Sequence, residues 1–374
     1  MKSKFLIPVA LPKLNGNEKK YVNDCLDSAW ISSIGKYIKE FEEKFAKFIG
    51  VKHAISCCNG TVALHLSLLA HDIKSGDEII VPTLTYIATV NAIRYCGATP
   101  IFVDSEPETW NIDPKKIEKK ITKKTKGIIV AHLYGHPVDM DPIIKIAKKY
   151  KLFIIEDAAE AHGAKYKNKL VGSIGHIGTF SFFGNKIITT GEGGMVVTNN
   201  NKLAEKIRIL KGQGMDQSRR YWFIKVGYNY RMTNIQAAIG LAQLEKIKWH
   251  MDMRKKVAKL YYQNLKPLSQ FIELPIEKEW ASHSFWMFSI FLKNSVNISR
   301  DKFMQLLQKE GIDTRPVFYP VTDMPPYKNT NDEFPVAKKI SARGINLPTH
   351  AGLKKQDIQY IADIIKRYCF QFSK

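Results

Sequence analysis

Short apolar runs alternate with amphipathic stretches through the first two thirds of the chain. His53-Ala54-Ile55-Ser56 reads as a strand, and Thr61 to Ala70 as a helix with Leu64, Leu66, Leu68 and Leu69 apolar. Glu78-Ile79-Ile80-Val81 is a second strand closed by Pro82; Thr85 to Tyr95 is helical, and Pro100-Ile101-Phe102-Val103 is a third strand. Gly127 to Ala131, a helix from Asp141 to Tyr150 and the run Leu152-Phe153-Ile154-Ile155 repeat the alternation. Continuously apolar strands separated by amphipathic helices predict an α/β fold whose largely parallel sheet is covered on both faces. Such sheets bind ligands beyond the carboxyl ends of their strands, which directs attention to the residues that follow each run.

After Gly191-Glu192-Gly193-Gly194 the pattern shifts. Met195-Val196-Val197-Thr198 reads as a strand, Lys202 to Lys211 as a helix, and Asn234 to about Leu265 as one long helical stretch. Phe285 to Phe291 is strand-like, while Arg300 to Glu310 and Gln356 to Tyr368 are helical. The change predicts a large domain over residues 1–250 and a smaller C-terminal domain over residues 251–374. Lys2 to Pro12, broken by two prolines, reads as an extended opening segment and not as a signal peptide.

Composition narrows the class. At 374 residues, 45% hydrophobic and 25% charged, the chain has ordinary globular values, which exclude a disordered protein. No apolar run approaches the ~18–20 residues of a membrane span. Five cysteines without a CxxC pair argue against a disulfide framework or a thiolate zinc site and fit a reducing cytoplasm. His132 and His136 have metal-helix spacing, but Gly135 and Pro137 argue against a helix there, so no metal is expected. Lys+Arg 57 against Asp+Glu 35 gives +22, enough to attract polyanions. The lysines lie in helical-looking stretches such as Lys115 to Lys120 without interleaved aromatics, so no nucleic-acid motif emerges. Three readings stay open: a solvated lysine-rich surface, a site for an anionic, phosphorylated substrate, and nucleic-acid binding, for which composition alone is weak support.

Three strand ends carry candidate chemistry. Asn59-Gly60-Thr61 lies between a strand and a helix, where glycine lets the backbone approach a ligand and free N–H groups suit a phosphate; an ordinary turn and cap is the plainer reading. Glu156-Asp157-Ala158-Ala159-Glu160 follows a buried strand, and carboxylates there are costly unless paired or used; a helix N-cap by Asp157 is the alternative. Thr179-Phe180-Ser181-Phe182-Phe183-Gly184-Asn185-Lys186 places a lysine beyond an aromatic stretch. Partial desolvation would lower its pKa and allow a Schiff base, whereas a lone lysine near glycines is commonly a surface residue. The turn Thr189-Thr190-Gly191-Glu192-Gly193-Gly194 has room for a bulky planar ligand.

In that order along one α/β chain, these segments resemble the DegT/DnrJ/EryC1/StrS aminotransferases, which use pyridoxal 5'-phosphate (PLP). The resemblance runs from Leu14-Asn15-Gly16-Asn17-Glu18 to Gly344-Ile345-Asn346-Leu347-Pro348. Its most specific parts are Ile155 to Ala161, Ser181 to Lys186 and Gly227-Tyr228-Asn229-Tyr230-Arg231-Met232-Thr233-Asn234. It implies PLP fold type I, like aspartate aminotransferase: a mostly parallel seven-stranded sheet in the large domain and a smaller α+β C-terminal domain. It also implies that Lys186 carries PLP and that Asp157 pairs with the pyridine nitrogen, strengthening the electron sink. Tyr86 would stack on the ring, Glu160 would lie near its hydroxyl, and Gly60, Thr61 and Ser181 would bind the phosphate. Asn229 would add a phosphate contact from the neighbouring subunit of a homodimer. Glu160 stands where the wider group often has glutamine, His136 also replaces a glutamine, and Cys57-Cys58 replace serine or asparagine. Related dehydratases carry histidine at the lysine position, so Lys186 implies transamination.

Trp30-Ile31-Ser32-Ser33, Arg219-Arg220-Tyr221-Trp222 and Arg315 to Pro320 resemble the branch whose product is a GDP-linked 4-amino sugar. The implied reaction moves the amino group of L-glutamate to C4 of GDP-4-keto-6-deoxymannose, giving GDP-perosamine. The same chemistry on dTDP-4-keto-6-deoxyglucose, giving dTDP-viosamine, or on a UDP-linked keto sugar stays open. Trp30, Ser33, Arg219, Arg220, Tyr221 and Tyr319 are the candidate substrate contacts; arginines and aromatics of a solvated surface are the plain alternative. A catalytically silent binding protein on the same fold, or a desulfurase or decarboxylase, is the rival reading.

Overall fold

The computed structural model describes residues 7–328 and 333–373. Met1 to Leu6, which include the first five residues of the expected opening segment, lie outside the described residues; Ile7 forms a bridge to Ile312.

A seven-stranded sheet runs in the order His53–Cys57, Gly194–Thr198, Ile177–Ser181, Phe153–Asp157, Thr125–Ala131, Glu78–Pro82 and Thr99–Val103. Gly194–Thr198 is antiparallel to both its neighbours, and the other pairings are parallel. Phe153–Asp157, Ile177–Ser181 and Gly194–Thr198 are buried at every position, so the middle of the sheet is covered on both faces. Side chains alternate across a strand, so Phe180 and Phe182 point to one face and Ser181 to the other. Phe180 and Phe182 meet Phe45 with ring centroids 5.0 and 5.4 Å apart, seating the helix Lys36–Ile49 against the sheet.

A second, four-stranded antiparallel sheet joins Ile272–Glu273, Phe288–Leu292, Gly344–Leu347 and Arg315–Pro316. Its core gathers Tyr261, Phe288, Phe303, Leu307, Ile361 and Ile365 from the sheet and three helices, together with Ile7 from the opposite end of the chain. Trp286, Val317 and Val321 instead belong to the first core, so the C-terminal third also reaches toward the large sheet.

Several elements differ from the pattern reading. The stretch Asn234 to Leu265 is two helices, Asn234–Glu245 and Ile247–Leu265, broken at Lys246, where no proline or glycine marks the break. The helix expected from Thr85 starts at Ala88. The strand expected from Phe285 starts at Phe288; Phe285 has φ +49°, which no strand accommodates. Lys115 to Lys120 forms two short 3₁₀ turns, as the proline at 114 and the brevity of the run dictate. Among the described residues no helix is long and apolar enough to cross a membrane.

Candidate active site

Asp157 ends one strand, Ser181 ends the next, and Gly60 opens the helix that follows His53–Cys57. The antiparallel strand brings Cys57 and Ser181 to one level, since both pair with Gly194. The carboxyl edge of the sheet thus gathers three segments that are far apart in sequence.

The two adjacent carboxyl groups of the Phe153–Asp157 strand have opposite fates, because they point to opposite faces. Glu156 is fully buried and structural: it accepts from the N–H groups of Gly172 (2.8 Å), Ile174 (2.7 Å) and Gly175 (2.5 Å) and meets His132 Nε2 at 3.0 Å. His132 Nδ1 accepts from Val138 N–H, so the Nε2 proton is the one aimed at Glu156. His136 uses both ring nitrogens on backbone, at Pro137 O and Lys278 N–H. Replacing Glu156 with alanine strands four donors in the interior, a class of change costing about 3–5 kcal/mol. A clear fall in thermal midpoint is expected; an unchanged midpoint would contradict this role.

Asp157 points the other way, toward Thr89 and the neighbourhood of Lys186. Its Oδ2 accepts from the Thr89 hydroxyl at 2.7 Å and its Oδ1 from Ala159 N–H at 3.1 Å. No helix begins at Asp157, so the N-cap alternative fails. Glu160 Oε2 accepts from Tyr134 N–H at 2.8 Å. Burial pushes both carboxyl groups up from their ordinary range, and the nearby Lys186 opposes that shift. Lys186 is half-buried, and desolvation lowers its amine while Glu160 and Asp157 draw it back up. His162, sealed between Phe180 and Phe182, is pushed down to about 3 by burial and by Lys186 and Arg254, so it stays neutral.

Of these groups Glu160 and Lys186 line a cleft of about 350 Å³ that also presents Asn59, Gly60, Thr61, Tyr86, Ser181, Glu192, Trp286 and Phe318, while Asp157 and His162 are buried behind it. Asn59 caps the Gly60–Ala70 helix through Val62 N–H at 2.9 Å, so the ordinary cap is present alongside the open helix start. Tyr86 is 57% exposed and its ring lies 5.8 Å from that of Phe318. The turn from Thr189 to Gly193 is held by Thr189 Oγ1 to Phe182 O (2.9 Å) and by Gln236 to Glu192 O (2.8 Å), which leaves Glu192 on the rim.

PLP fits this donor set. A Cβ at Gly60 would lie 2.7 Å from Ser181 Cβ, so backbone and serine meet with no side chain between them, at a helix start whose first N–H groups lack intrahelical partners. Tyr86 and Phe318 bring aromatic rings to the same cleft as the Lys186 side chain, and the buried carboxyl group of Asp157, whose charge acts on that amine, suits a protonated pyridine nitrogen. Asn185 Oδ1 is buried without a partner at the same place.

The expected substrate contacts lie elsewhere. Trp30, Arg219, Arg220, Tyr221 and Tyr319 are exposed, Ser33 is half-buried, and none of the six lines the cleft. Arg219 stacks on Trp222 at 4.1 Å and Arg220 on Tyr221 at 4.9 Å, while Tyr319 accepts from Arg300 at 2.9 Å. Asn229 is exposed and accepts from Arg231 at 3.1 Å, also outside the cleft of its own chain. Sequence reasoning missed Thr89, Trp286 and Phe318. Thr89 sits three residues after Tyr86, a spacing that could have found it; Trp286 and Phe318 arrive from the C-terminal third with no local signal.

The sequence profile of the DegT/DnrJ/EryC1/StrS aminotransferase family matches residues 12–366. The chain is 53% identical over 356 residues to the GDP-perosamine synthase of Caulobacter vibrioides, covering 95% of this chain and 96% of that protein. It is 52% identical over 362 residues to the GDP-perosamine synthase of Escherichia coli O157:H7, covering 97% and 98%. Its fold superposes on the putative sugar aminotransferase Spr1654 of Streptococcus pneumoniae, solved in a PLP-form, with a TM-score of 0.93 at 28% identity, covering 99% of this chain and 100% of that one.

Proposed function

The chain belongs to the DegT/DnrJ/EryC1/StrS aminotransferase family, and from that footing we propose that it moves the amino group of L-glutamate to C4 of GDP-4-keto-6-deoxymannose, giving GDP-perosamine. The enzyme is a PLP-dependent sugar-nucleotide aminotransferase. The observation that carries the reading is a half-buried lysine that shares a cleft with the buried carboxyl group of Glu160, with the buried Asp157 close enough to act on its charge, at the carboxyl edge of the sheet.

Bound PLP supplies an electron sink for the negative charge that develops at the reacting carbon. Asp157 would hold positive charge at the ring nitrogen, and the Thr89 hydroxyl fixes its carboxylate. Lys186 Nζ removes the proton from Cα of glutamate and, in the second half-reaction, returns one at C4 of the sugar. An amine held below its ordinary pKa suits both duties. Tyr86 would cover the ring, Glu160 would stand near its hydroxyl, and Gly60, Thr61 and Ser181 would seat the phosphate. Gly60→Ala forces Cβ against Ser181, so PLP affinity should fall on the order of tenfold, the equivalent of about one lost hydrogen bond. Fluorescence titration of the apoprotein checks this; wild-type affinity would remove Gly60 from the phosphate seat.

Asn229 and the exposed run Tyr221 to Val226, where Val226 is 90% exposed, support a homodimer whose second copy covers this face and completes the site. On that arrangement Arg219, Arg220 and Tyr221 reach the diphosphate of the partner's substrate, and Trp30, Ser33 and Tyr319 its sugar. The +22 charge then serves a dianionic ligand and not nucleic acid. The large PLP-binding domain spans 1–250 and the smaller domain 251–374. Free cysteines fit a cytoplasmic enzyme that feeds O-antigen or related polysaccharide synthesis.

Supplying GDP-, dTDP- and UDP-linked 4-keto sugars separately with glutamate tests the nucleotide. The highest kcat/KM is expected on the GDP sugar. A higher value on either other sugar would keep the chemistry and replace the substrate.

A further inference from the structure

We propose that Trp286 is a positioning residue for Lys186: its indole face holds the lysine ammonium inside the cleft whenever that amine is not covalently engaged. The inference rests on Lys186 being the reacting amine and adds a residue from a distant part of the chain. Lys186 Nζ lies 3.9 Å from the Trp286 ring centroid, well within the range of a cation–π contact, and tryptophan offers a cation the strongest such face. Among the described residues Nζ has no ion-pair or hydrogen-bond partner, so the indole is its immediate contact.

The ring is fixed by more than packing. Its Nε1–H donates to Asn185 O at 2.9 Å, across 101 positions, which ties the indole to the backbone one residue before the lysine it supports. Tyr134 stacks behind it at 6.1 Å and 16°. Tyr134 is in turn held at both ends, its N–H donating to Glu160 and its hydroxyl accepting from Phe318 N–H at 2.9 Å. The Trp286 carbonyl accepts from Arg254 at 2.9 Å. A leucine stays apolar but is much smaller, and it would leave Asn185 O without its donor and the ammonium without a face.

The consequence is a titration. Burial drives the proton off Lys186, and the indole opposes it. The other charged or titratable groups around the amine are Asp157 at the strand end, Glu160 and His162 from the segment after it, Glu192 from the glycine-rich turn and Tyr86 from the loop before the Ala88–Tyr95 helix. All five are shared by wild type and a Trp286 variant, so the difference between the two isolates the ring.

The test is competitive acetylation of the apoprotein with trace acetic anhydride across the pH range, with Lys186 modification read by peptide mass spectrometry. Trp286→Leu should lower the labelling midpoint by about one pH unit, with labelling roughly tenfold faster below it. Trp286→Phe keeps a weaker face and should move the midpoint the same way by less; it decides the matter if the leucine variant does not fold. A midpoint that is unchanged in a folded variant, or that rises because water enters, overturns the proposal. Multiple turnover by Lys186→Ala would instead overturn the reading of Lys186 itself, so the two failures are distinguishable.

Discussion

Replacing Lys186 with alanine should reduce amine transfer by more than roughly 10⁴-fold, because one side chain both anchors the cofactor and moves the proton, and general acid–base catalysis alone supplies about 10²–10⁴. The other groups around the amine cannot substitute. Asp157 and Glu160 are committed to Thr89, Ala159 and Tyr134, and His162 is walled off between two phenylalanines. The loss should appear in kcat when amino-sugar product is followed over time, with the fold intact by circular dichroism. Retained multiple turnover would refute the assignment.

Asp157→Asn should be nearly as damaging, by about 10²–10⁴-fold, the equivalent of the ~3–5 kcal/mol lost when one member of a buried charge pair is removed. Asparagine keeps the shape and can still accept from Ala159 N–H, so the variant removes charge more than geometry. Steady-state kinetics at saturating PLP separates this from simple cofactor loss. Activity within tenfold of wild type would mean that the carboxylate does not pair with the ring nitrogen. Thr89→Val, which removes only the hydroxyl 2.7 Å from Asp157, should weaken catalysis in the same direction and by less.

The sheet was legible because parallel strands buried on both faces leave unbroken apolar runs, and its ligand edge followed from where those runs end. Asp157, Glu160, Ser181 and Lys186 lie within 30 residues of one another, and strand periodicity plus two strand ends brings them together. The apolar pattern alone did not separate Glu156 from Asp157, since both follow the same run; the family resemblance singled out Asp157. The register directs Glu156 to the loop from Gly172 to Gly175.

Trp286 escaped for a different reason. It precedes the strand Phe288–Leu292, where an indole looks like core, and its partners Asn185 and Lys186 are set by the docking of the C-terminal third. The helix break at Lys246 and the late strand start at Phe288 are likewise tertiary outcomes that local propensity does not encode. The six substrate candidates lie outside the cleft of the single chain, where no local pattern could place them.

The most direct measurement is product mass after the PLP-loaded protein is incubated with heavy-nitrogen L-glutamate and GDP-4-keto-6-deoxymannose. The expected product is the nucleotide sugar with its ketone replaced by an amine that carries the heavy nitrogen. Unchanged keto sugar here and with the dTDP and UDP substrates, from protein that holds PLP, would contradict the assignment as a sugar aminotransferase acting at C4.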